Sequence, residues 1–248
     1  MKIGVMGCGH LGQSLVQGLL SRQILTPPEI YITARSQETG SKVSLAYGVQ
    51  VCADNRELLQ KTDILFITLP PAVFGRESSR LGEDVRGKHI VSLMAGIPLR
   101  MLEQSLQGAI LSRAMPTISI ANGCGIIGYT QTAPYITAIY EKLGYAFPCA
   151  EEDLEKVTAF SACGYGFAAY ILAAFQQAGE KLGFDAVISR EITSRLFNQA
   201  AQEADFKRTA AAVATPGGAT EKGILHFEKA HLPEMMEQAV SEAYNAVR

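Results

Sequence analysis

A glycine-rich loop between a short apolar run and a helical stretch limits the folds open to this chain. Residues 7–12 read Gly7-Cys-Gly9-His10-Leu11-Gly12, a G-x-G-x-x-G pattern. In such a loop the first glycine makes a tight turn, the second lets a ligand approach the backbone, and the third lets the helix pack closely on the strand. The helix N-terminus favours an anion. These residues predict a dinucleotide site, with the His10 side chain as a filler rather than a catalyst.

Short apolar runs alternate with helical stretches from residue 1 to about residue 150. Runs bounded by Gly, Pro or Asp are typical of strands that are covered on both faces. The seven runs are KIGVMG, EIYITA, GVQVCA, DILFITL, HIVSLMA, AILSRAM and GCGIIGY. The alternation predicts α/β architecture, with an N-terminal Rossmann-type doubly wound, mostly parallel sheet over residues 1–150.

Residues 151–248 follow a different pattern, without a convincing strand. Apolar residues recur at helical spacing from Phe167 to Leu182 and from Ile188 to Ala200, and Asp185 is placed to cap the second helix. A segment this short buries such faces best against a second subunit. We therefore expect an all-α substrate and dimerisation domain, and a homodimer or higher homo-oligomer.

Composition excludes several classes of protein. The 248 residues carry 22 basic and 24 acidic side chains, a net charge of −2, and the basic residues are scattered. We therefore expect no nucleic-acid or membrane partner. No apolar run is expected to reach the length of a membrane span, and the N-terminus lacks the pattern of a secretory signal. A cytoplasmic protein is predicted.

The cysteines and histidines offer no metal site. The five cysteines are widely spaced without a C-x-x-C pair, and His226 and His231 lie five residues apart on a predicted surface. Reduced thiols and no bound metal are the prediction.

The residues after the second apolar run indicate the type of dinucleotide. An NAD site usually has an acidic residue there, whereas this chain has Arg35 and Ser36. A guanidinium pairs bidentately with a 2′-phosphate, and a neighbouring hydroxyl can donate to it. This favours NADPH (NADP+) over NADH. The alternative is an arginine that is simply solvated.

A pair of glycines precedes the last helical stretches, in the sequence ATPGGATEKG. Proline and glycine mark a turn before a helix, which is one interpretation. The other is a small anion site, because glycines expose backbone N–H groups and a helix N-terminus favours negative charge.

The assembled motifs resemble the pyrroline-5-carboxylate reductase family over nearly the whole chain, as a divergent member. TPGGATEKGILHFEK is similar to the family's S-P-G-G-x-T segment, and VTAFSACGYGF aligns with its T-A-x-S-G-S-G-P-A-Y segment. VSLMAGI and SRAMPTIS resemble two further blocks. The resemblance implies oxidoreductase activity in proline and amino-acid biosynthesis: hydride transfer from NADPH to the C=N bond of 1-pyrroline-5-carboxylate.

The resemblance also implies roles for individual residues. Thr220 would lie beside the imine nitrogen, where its hydroxyl can hydrogen-bond or relay a proton. The substrate carboxylate would bind the backbone around the glycine pair and the TAFSACG segment, and an acidic residue would lie nearby. The implied substrate contacts are Thr215, Gly217, Gly218, Ser161, Cys163, Gly164 and Glu203. The implied further cofactor contacts are Leu69, Pro70, Met94, Ala95, Gly96 and Pro116. Glu203 fits a plain surface carboxylate equally well.

The chain departs from the family's pattern beside the expected site. Thr117 replaces an asparagine, Cys163 a serine, Tyr165 a proline and Phe167 a tyrosine, and Leu69 stands where the family has lysine. Two alternatives therefore stay open: an NADPH-dependent imine or carbonyl reductase with another substrate, and a non-catalytic dinucleotide-binding sensor or partner protein. A β-hydroxyacid dehydrogenase is disfavoured, because residues 158–172 contain no lysine.

Overall fold

A computed structural model describes residues 1–247 of the chain. The described chain forms two compact units. The first comprises Met1–Ala162 together with the chain end from Tyr244, and the second comprises Cys163–Ala243. The domain boundary placed at residue 150 by the sequence stays a prediction.

The first unit is built on one eight-stranded sheet with the order β3-β2-β1-β4-β5-β6-β7-β8. Strands β1 to β6 are mutually parallel where they pair, β7 runs antiparallel to β6, and β8 runs parallel to β7. The strands are β1 Ile3–Met6, β2 Ile30–Thr33, β3 Gln50–Val51, β4 Ile64–Ile67, β5 His89–Ser92, β6 Ile110–Pro116, β7 Gly125–Tyr129 and β8 Gly144–Pro148. The predicted Rossmann-type α/β class is confirmed, and β8 adds a strand to the seven expected.

Helices cover both faces of this sheet. Alternate residues of the central strands point to opposite faces, so Ile64 and Phe66 enter one hydrophobic core while Leu65 and Ile67 enter the other. The helices are α1 His10–Ser21, α2 Gln37–Tyr47, α3 Asn55–Lys61, α4 Pro71–Ser78, α5 Leu99–Ser105, α6 Pro134–Leu143 and α7 Leu154–Val157. Short 3-10 helices span Pro27–Glu29, Gly82–Val85, Ile118–Asn122 and Glu151–Asp153, and a π-helical segment spans Thr158–Cys163.

The second unit is helical throughout, as the sequence predicts. Asp185 caps α9 by accepting the N–H groups of Val187 and Ile188 at 2.9 Å. The rings of Phe175 on α8 and Phe197 on α9 meet edge to face. The helices are α8 Gly164–Lys181, α9 Ala186–Ala200, α10 Phe206–Val213, α11 Ala219–Lys229 and α12 Leu232–Val247. Most of the large apolar side chains on these helices are exposed in the isolated chain.

The expectation that no apolar run reaches the length of a membrane span is wrong. Glu151–Lys181 forms 31 helical residues with a mean hydropathy of 1.5 in their apolar window, enough by length and composition to cross a bilayer. No charged residue interrupts this stretch from Val157 to Gly179. In the structure 11% of that window is buried.

A buried histidine, His89, lies at the amino end of β5. His89 is 5% exposed, its Nδ1 atom lies 2.7 Å from the hydroxyl of Tyr135, and its Nε2 atom lies 3.4 Å from the hydroxyl of Thr132. Burial lowers the pKa of His89, because the charged imidazolium loses its hydration.

We expect this histidine to make the first unit sensitive to acid. Because the pKa is lower in the folded state, the unfolded chain binds more protons, and the free energy of unfolding falls as the pH drops through about 6.5 with a slope of at most about 1.4 kcal/mol per pH unit. Urea denaturation between pH 5 and 8 measures this slope. His89→Gln should reduce it, whereas His226→Gln, at an exposed position of α11, should not. Equal slopes in all three proteins would contradict the assignment.

Candidate functional site

A large cavity lies at the carboxyl ends of β2, β1, β4 and β5 in the first unit. Its volume is about 1210 Å³, against about 300–1000 Å³ for the usual small-molecule site. Three interstrand spacings separate β2 from β5, which corresponds to about 14 Å. Nine residues predicted to contact the cofactor line this cavity: Gly7, Gly9, His10, Leu11, Arg35, Leu69, Pro70, Met94 and Ala95. Gly12, Ser36, Gly96 and Pro116 are not among its lining residues.

The glycines of the loop between β1 and α1 are set by backbone geometry. Gly7 has a φ of 95°, in the left-handed region that side chains disfavour. A Cβ atom on Gly12 would lie 2.3 Å from the carbonyl oxygen of Gly7, a distance that no side chain can occupy. A Cβ atom on Gly9 would meet nothing within 4 Å. Gly12 therefore acts through packing, while Gly9 keeps the cavity side of the loop open.

The loop leaves several amide groups of α1 without a hydrogen-bond partner among the described residues. The carbonyl oxygens of Gly7 and Cys8 accept hydrogen bonds from the Thr68 hydroxyl and the Gln13 side chain, respectively. The N–H groups of His10, Leu11 and Gly12 have no partner within residues 1–247. Unpaired amides at a helix N-terminus are suited to a phosphate group.

Arg35 lies just beyond β2, at one end of the cavity. Its side chain is exposed and makes no ion pair or hydrogen bond in the described part of the chain. The Ser36 hydroxyl accepts the N–H of Thr39 at 3.2 Å and so caps α2. Thr39 also lines the cavity. The local fold thus leaves Arg35 available for a ligand and gives Ser36 a structural role that does not exclude donation to one.

A polar chain that the sequence analysis missed lines the same end of the cavity. The Thr33 hydroxyl donates to Asn55 at 2.6 Å, and the amide of Asn55 donates to Glu77 at 2.8 Å. Glu77 also pairs with Arg76 on α4 and with Arg80 just after it, at 3.3 and 3.1 Å. The signal was a pair of arginines four residues apart, one in the helix that follows Leu69-Pro70 and one just after it, since α4 begins at the carboxyl end of β4.

Two buried thiols in the cavity wall carry no charge at neutral pH. Burial raises the pKa of Cys8 to about 12 and is also the main cause that raises the pKa of Cys52 to about 11. Neither thiol therefore opposes an anion bound at the loop.

Thr117, at the position where the family has asparagine, uses its hydroxyl in hydrogen bonds within the protein. Thr117 follows β6 and is 2% exposed. Its hydroxyl lies 2.6 Å from that of Ser119 and accepts the N–H of Ile126 at 3.0 Å. Thr117 therefore closes the turn between β6 and β7, and Pro116 before it pairs with β7.

The glycine pair of the second unit forms a tight turn before α11. Gly218 N–H donates to the carbonyl of Thr215 at 2.8 Å, Pro216 occupies the first central position, and Gly217 has a φ of 75°. This is the pattern of a type II turn, which favours glycine at its second central position. The N–H of Gly217 donates to the carboxylate of Glu221 at 2.6 Å. The Gly217 N–H of this turn is thus already bound to an anionic group, the side chain of Glu221.

The remaining predicted site residues lie on both units. Ser161, in the first unit, donates its hydroxyl to the carbonyl of Val157 at 2.7 Å. In the second unit, Cys163 and Gly164 precede and begin α8, and Glu203 is exposed and accepts from the hydroxyl of Thr209 at 3.4 Å. Thr220 is exposed in the first turn of α11, and its hydroxyl has no partner among the described residues. The binding roles of these residues stay predictions.

Comparisons with known proteins point to one family. A family model described as pyrroline-5-carboxylate reductase dimerisation matches residues 151–248, and one described as NADP oxidoreductase, coenzyme F420-dependent, matches residues 2–96. Pyrroline-5-carboxylate reductase 2 of Bacillus subtilis is 23% identical, over 97% of this chain and 92% of the relative. Pyrroline-5-carboxylate reductase of Corynebacterium melassecola is 27% identical, over 92% and 90%.

A solved structure supports the same fold. The pyrroline carboxylate reductase of Plasmodium falciparum, determined with NADP bound, has a TM-score of 0.91 at 20% identity. The match covers 100% of this chain and 97% of that one. The likeness extends over both units, and at this identity it is evidence for the fold.

Proposed function

We propose that this chain, which belongs to the pyrroline-5-carboxylate reductase family, reduces the C=N bond of 1-pyrroline-5-carboxylate to give L-proline. NADPH supplies the hydride to the imine carbon, and a proton is added to the ring nitrogen. The observation that carries the proposal is the glycine loop, whose His10 and Leu11 share one cavity with Arg35. The amides of these two loop residues and the Arg35 guanidinium have no partner among the described residues.

The residues of the cavity fit NADPH. The amides of His10, Leu11 and Gly12 would bind the pyrophosphate, and the exposed guanidinium of Arg35 would bind the 2′-phosphate. Arg76 and Arg80 are already paired with Glu77, so Arg35 is the cavity arginine without a partner within residues 1–247. Met94 and Ala95, at the β5 end, would form the wall beside the nicotinamide, with Leu69 and Pro70 between.

The turn before α11 would hold the substrate. The N–H of Gly217 suits a carboxylate, and that of Gly218 would join it only by giving up its bond to the carbonyl of Thr215. The hydroxyl of Thr220, without a partner among the described residues, suits the ring nitrogen, where it would donate a hydrogen bond or pass a proton. The carboxylate of Glu221 now occupies the Gly217 N–H. Because two carboxylates cannot share that donor, the substrate would displace Glu221. Further contacts are proposed for Thr215, Ser161, Cys163, Gly164 and Glu203.

We also propose a homodimer or larger homo-oligomer in the cytoplasm, serving proline biosynthesis. Exposed apolar residues on α8 and α9 and just after α8, among them Tyr170, Leu182 and Val187 at 78–80% exposure, would be covered by another copy. All five cysteines are unpaired, in keeping with a reducing compartment. Light scattering at micromolar concentration tests the assembly: we expect at least twice the chain mass of 26.7 kDa, and a monomer would contradict it.

An assay of NADPH oxidation with 1-pyrroline-5-carboxylate tests the activity. We expect the nicotinamide absorbance to fall and L-proline to form, with slower turnover on NADH. Stabilisation by NADPH without turnover would contradict the proposed substrate and favour another imine or carbonyl substrate, or a protein that senses the dinucleotide. No binding of NADPH would overturn the site itself.

Arg35→Ala should change the choice of cofactor. We expect the KM for NADPH to rise by about tenfold to a hundredfold, corresponding to about 1.5–3 kcal/mol for a lost charged hydrogen bond, and the KM for NADH to change little. Arg195→Ala, at an exposed arginine of α9 that pairs with Glu191, is the control and should affect neither. Equal effects of Arg35→Ala on both cofactors would remove the 2′-phosphate role.

Neighbouring residues of α11 should separate catalysis from substrate binding. We expect Thr220→Val to lower kcat by about a hundredfold with the Kd for NADPH unchanged, because a proton-relaying group is lost. Glu221→Gln should lower the KM for the substrate by about fivefold, corresponding to about 1 kcal/mol, because the competing charge is removed.

Steady-state kinetics of both variants measure the contrast, and direct titration with NADPH is the control for each. Unchanged kcat in Thr220→Val would show that its hydroxyl takes no part. A KM that rises in Glu221→Gln would show that the carboxylate supports the substrate site instead of blocking it.

A further inference from the structure

Arg113 on β6 is the largest fully buried side chain in the described chain, with 1% of its surface exposed. Its Nη1 atom lies 3.2 Å from the carboxylate of Glu151, and its Nη2 atom lies 2.6 Å from that of Glu155. Nη2 also donates to the carbonyl oxygen of Met94 at 3.3 Å. The guanidinium thus joins the segment that follows β5 to the stretch that includes α7.

The two carboxylates bind the same segment from the other side. Glu155 accepts the N–H of Gly96 at 3.3 Å, and Glu151 accepts the N–H of Leu99 at 2.5 Å. Three backbone groups of residues 94–99 are therefore fixed to one cluster of three charges. Arg113, Glu151 and Glu155 are called the β6 charge cluster below.

Stability alone is a weak account of this cluster. Burying an ion pair costs desolvation energy that its attraction roughly offsets, and apolar residues of similar volume often stabilise a fold as well or better. What an apolar replacement cannot supply is a fixed direction for three peptide groups. The cluster is therefore better explained by the geometry that it imposes on residues 94–99.

That segment forms the β5 end of the cavity. Leu93, Met94 and Ala95 line it, and the Ala95 N–H has no hydrogen-bond partner in the chain up to residue 247. The carbonyl of Met94 and the N–H of Gly96, on either side, are held by the β6 charge cluster. The peptide of Ala95 is thus kept in place and left free to bind.

We propose that Arg113 is a positioning residue that, through Met94 and Glu155, holds residues 94–96 so that the Ala95 amide binds the carboxamide of the nicotinamide ring. The inference rests on the proposed use of NADPH. It assigns to a buried residue outside the cavity the alignment of the reactive half of the cofactor, while the adenosine half depends on the glycine loop and Arg35.

Binding of two nucleotides separates these halves. The Kd values for NADPH and for 2′,5′-ADP, which lacks the nicotinamide, are measured by titration calorimetry for the full chain, Glu155→Gln and Arg113→Lys. Glu155→Gln is the primary variant, because its amide oxygen still accepts a hydrogen bond and the carboxylate is partly exposed. Glu191→Gln, in the exposed pair with Arg195 on α9, is the matched control.

We expect the Kd for 2′,5′-ADP to stay within about twofold in both variants and the Kd for NADPH to rise about tenfold, the factor for one lost hydrogen bond of about 1.4 kcal/mol. Single-turnover hydride transfer should slow by about a hundredfold, since a displacement of about 1 Å has that effect. Glu191→Gln should change none of these values.

Parallel weakening of both nucleotides would overturn the proposal, since the cluster would then support the whole fold. Unchanged NADPH binding and hydride transfer in a folded Glu155→Gln would overturn it as well. Failure of the wild-type chain to bind either nucleotide would instead refute the proposed cofactor. Absence of turnover on 1-pyrroline-5-carboxylate, with the expected nucleotide pattern, would refute only the substrate.

Discussion

The contact between the carbonyl oxygen of Gly7 and the backbone of Gly12 is the constraint on which the site depends. A Cβ atom on Gly12 would lie 2.3 Å from that oxygen, so α1 reaches β1 only without a side chain there. The first amides of α1, at the end of that strand, have no partner among the described residues, because the first turn of a helix lacks intrahelical acceptors. Once this contact is made, the chain itself presents a helix N-terminus of the kind that favours an anion.

The order of the strands makes the cavity elongated. Because β2, β1, β4 and β5 are neighbours and parallel, the residues after each strand meet at one edge of the sheet. Arg35 follows β2 and Met94 follows β5, so the charged and apolar ends of the cavity are separated by the width of the intervening strands. A ligand with one anionic end and one flat apolar end matches this order.

Much of the fold follows from local sequence patterns, and its limits are physical. The seven apolar runs correspond to β1–β7. For the fully buried β1 and β4 the reason is that strands covered on both faces need nearly continuous apolar residues. The eighth strand, Gly144–Pro148, was missed since it lies at the sheet edge, is only partly buried and ends in proline. In the β6 charge cluster, Arg113 is separated along the sequence from Glu151 by 38 positions and from Glu155 by 42 positions. No local sequence pattern predicts contacts over such separations.

The arginines in and near the cavity fall into two groups, those that already form ion pairs and one that does not within the described residues. Arg76 and Arg80 share Glu77, and Arg113 is held by two carboxylates, so these charges are used to hold helices and backbone in place. Arg35 keeps its charge unpaired among the described residues, in solvent. An exposed guanidinium without an ion-pair partner binds a phosphate at little cost in free energy, because no existing ion pair has to break. A guanidinium that is already paired must first separate from its carboxylate. By the same reasoning, a ligand at the proposed site before α11 in the second unit would displace Glu221, because its carboxylate already accepts the Gly217 N–H. Partner lists therefore separate residues that build this site from residues that a ligand can use, a distinction that residue type alone does not make.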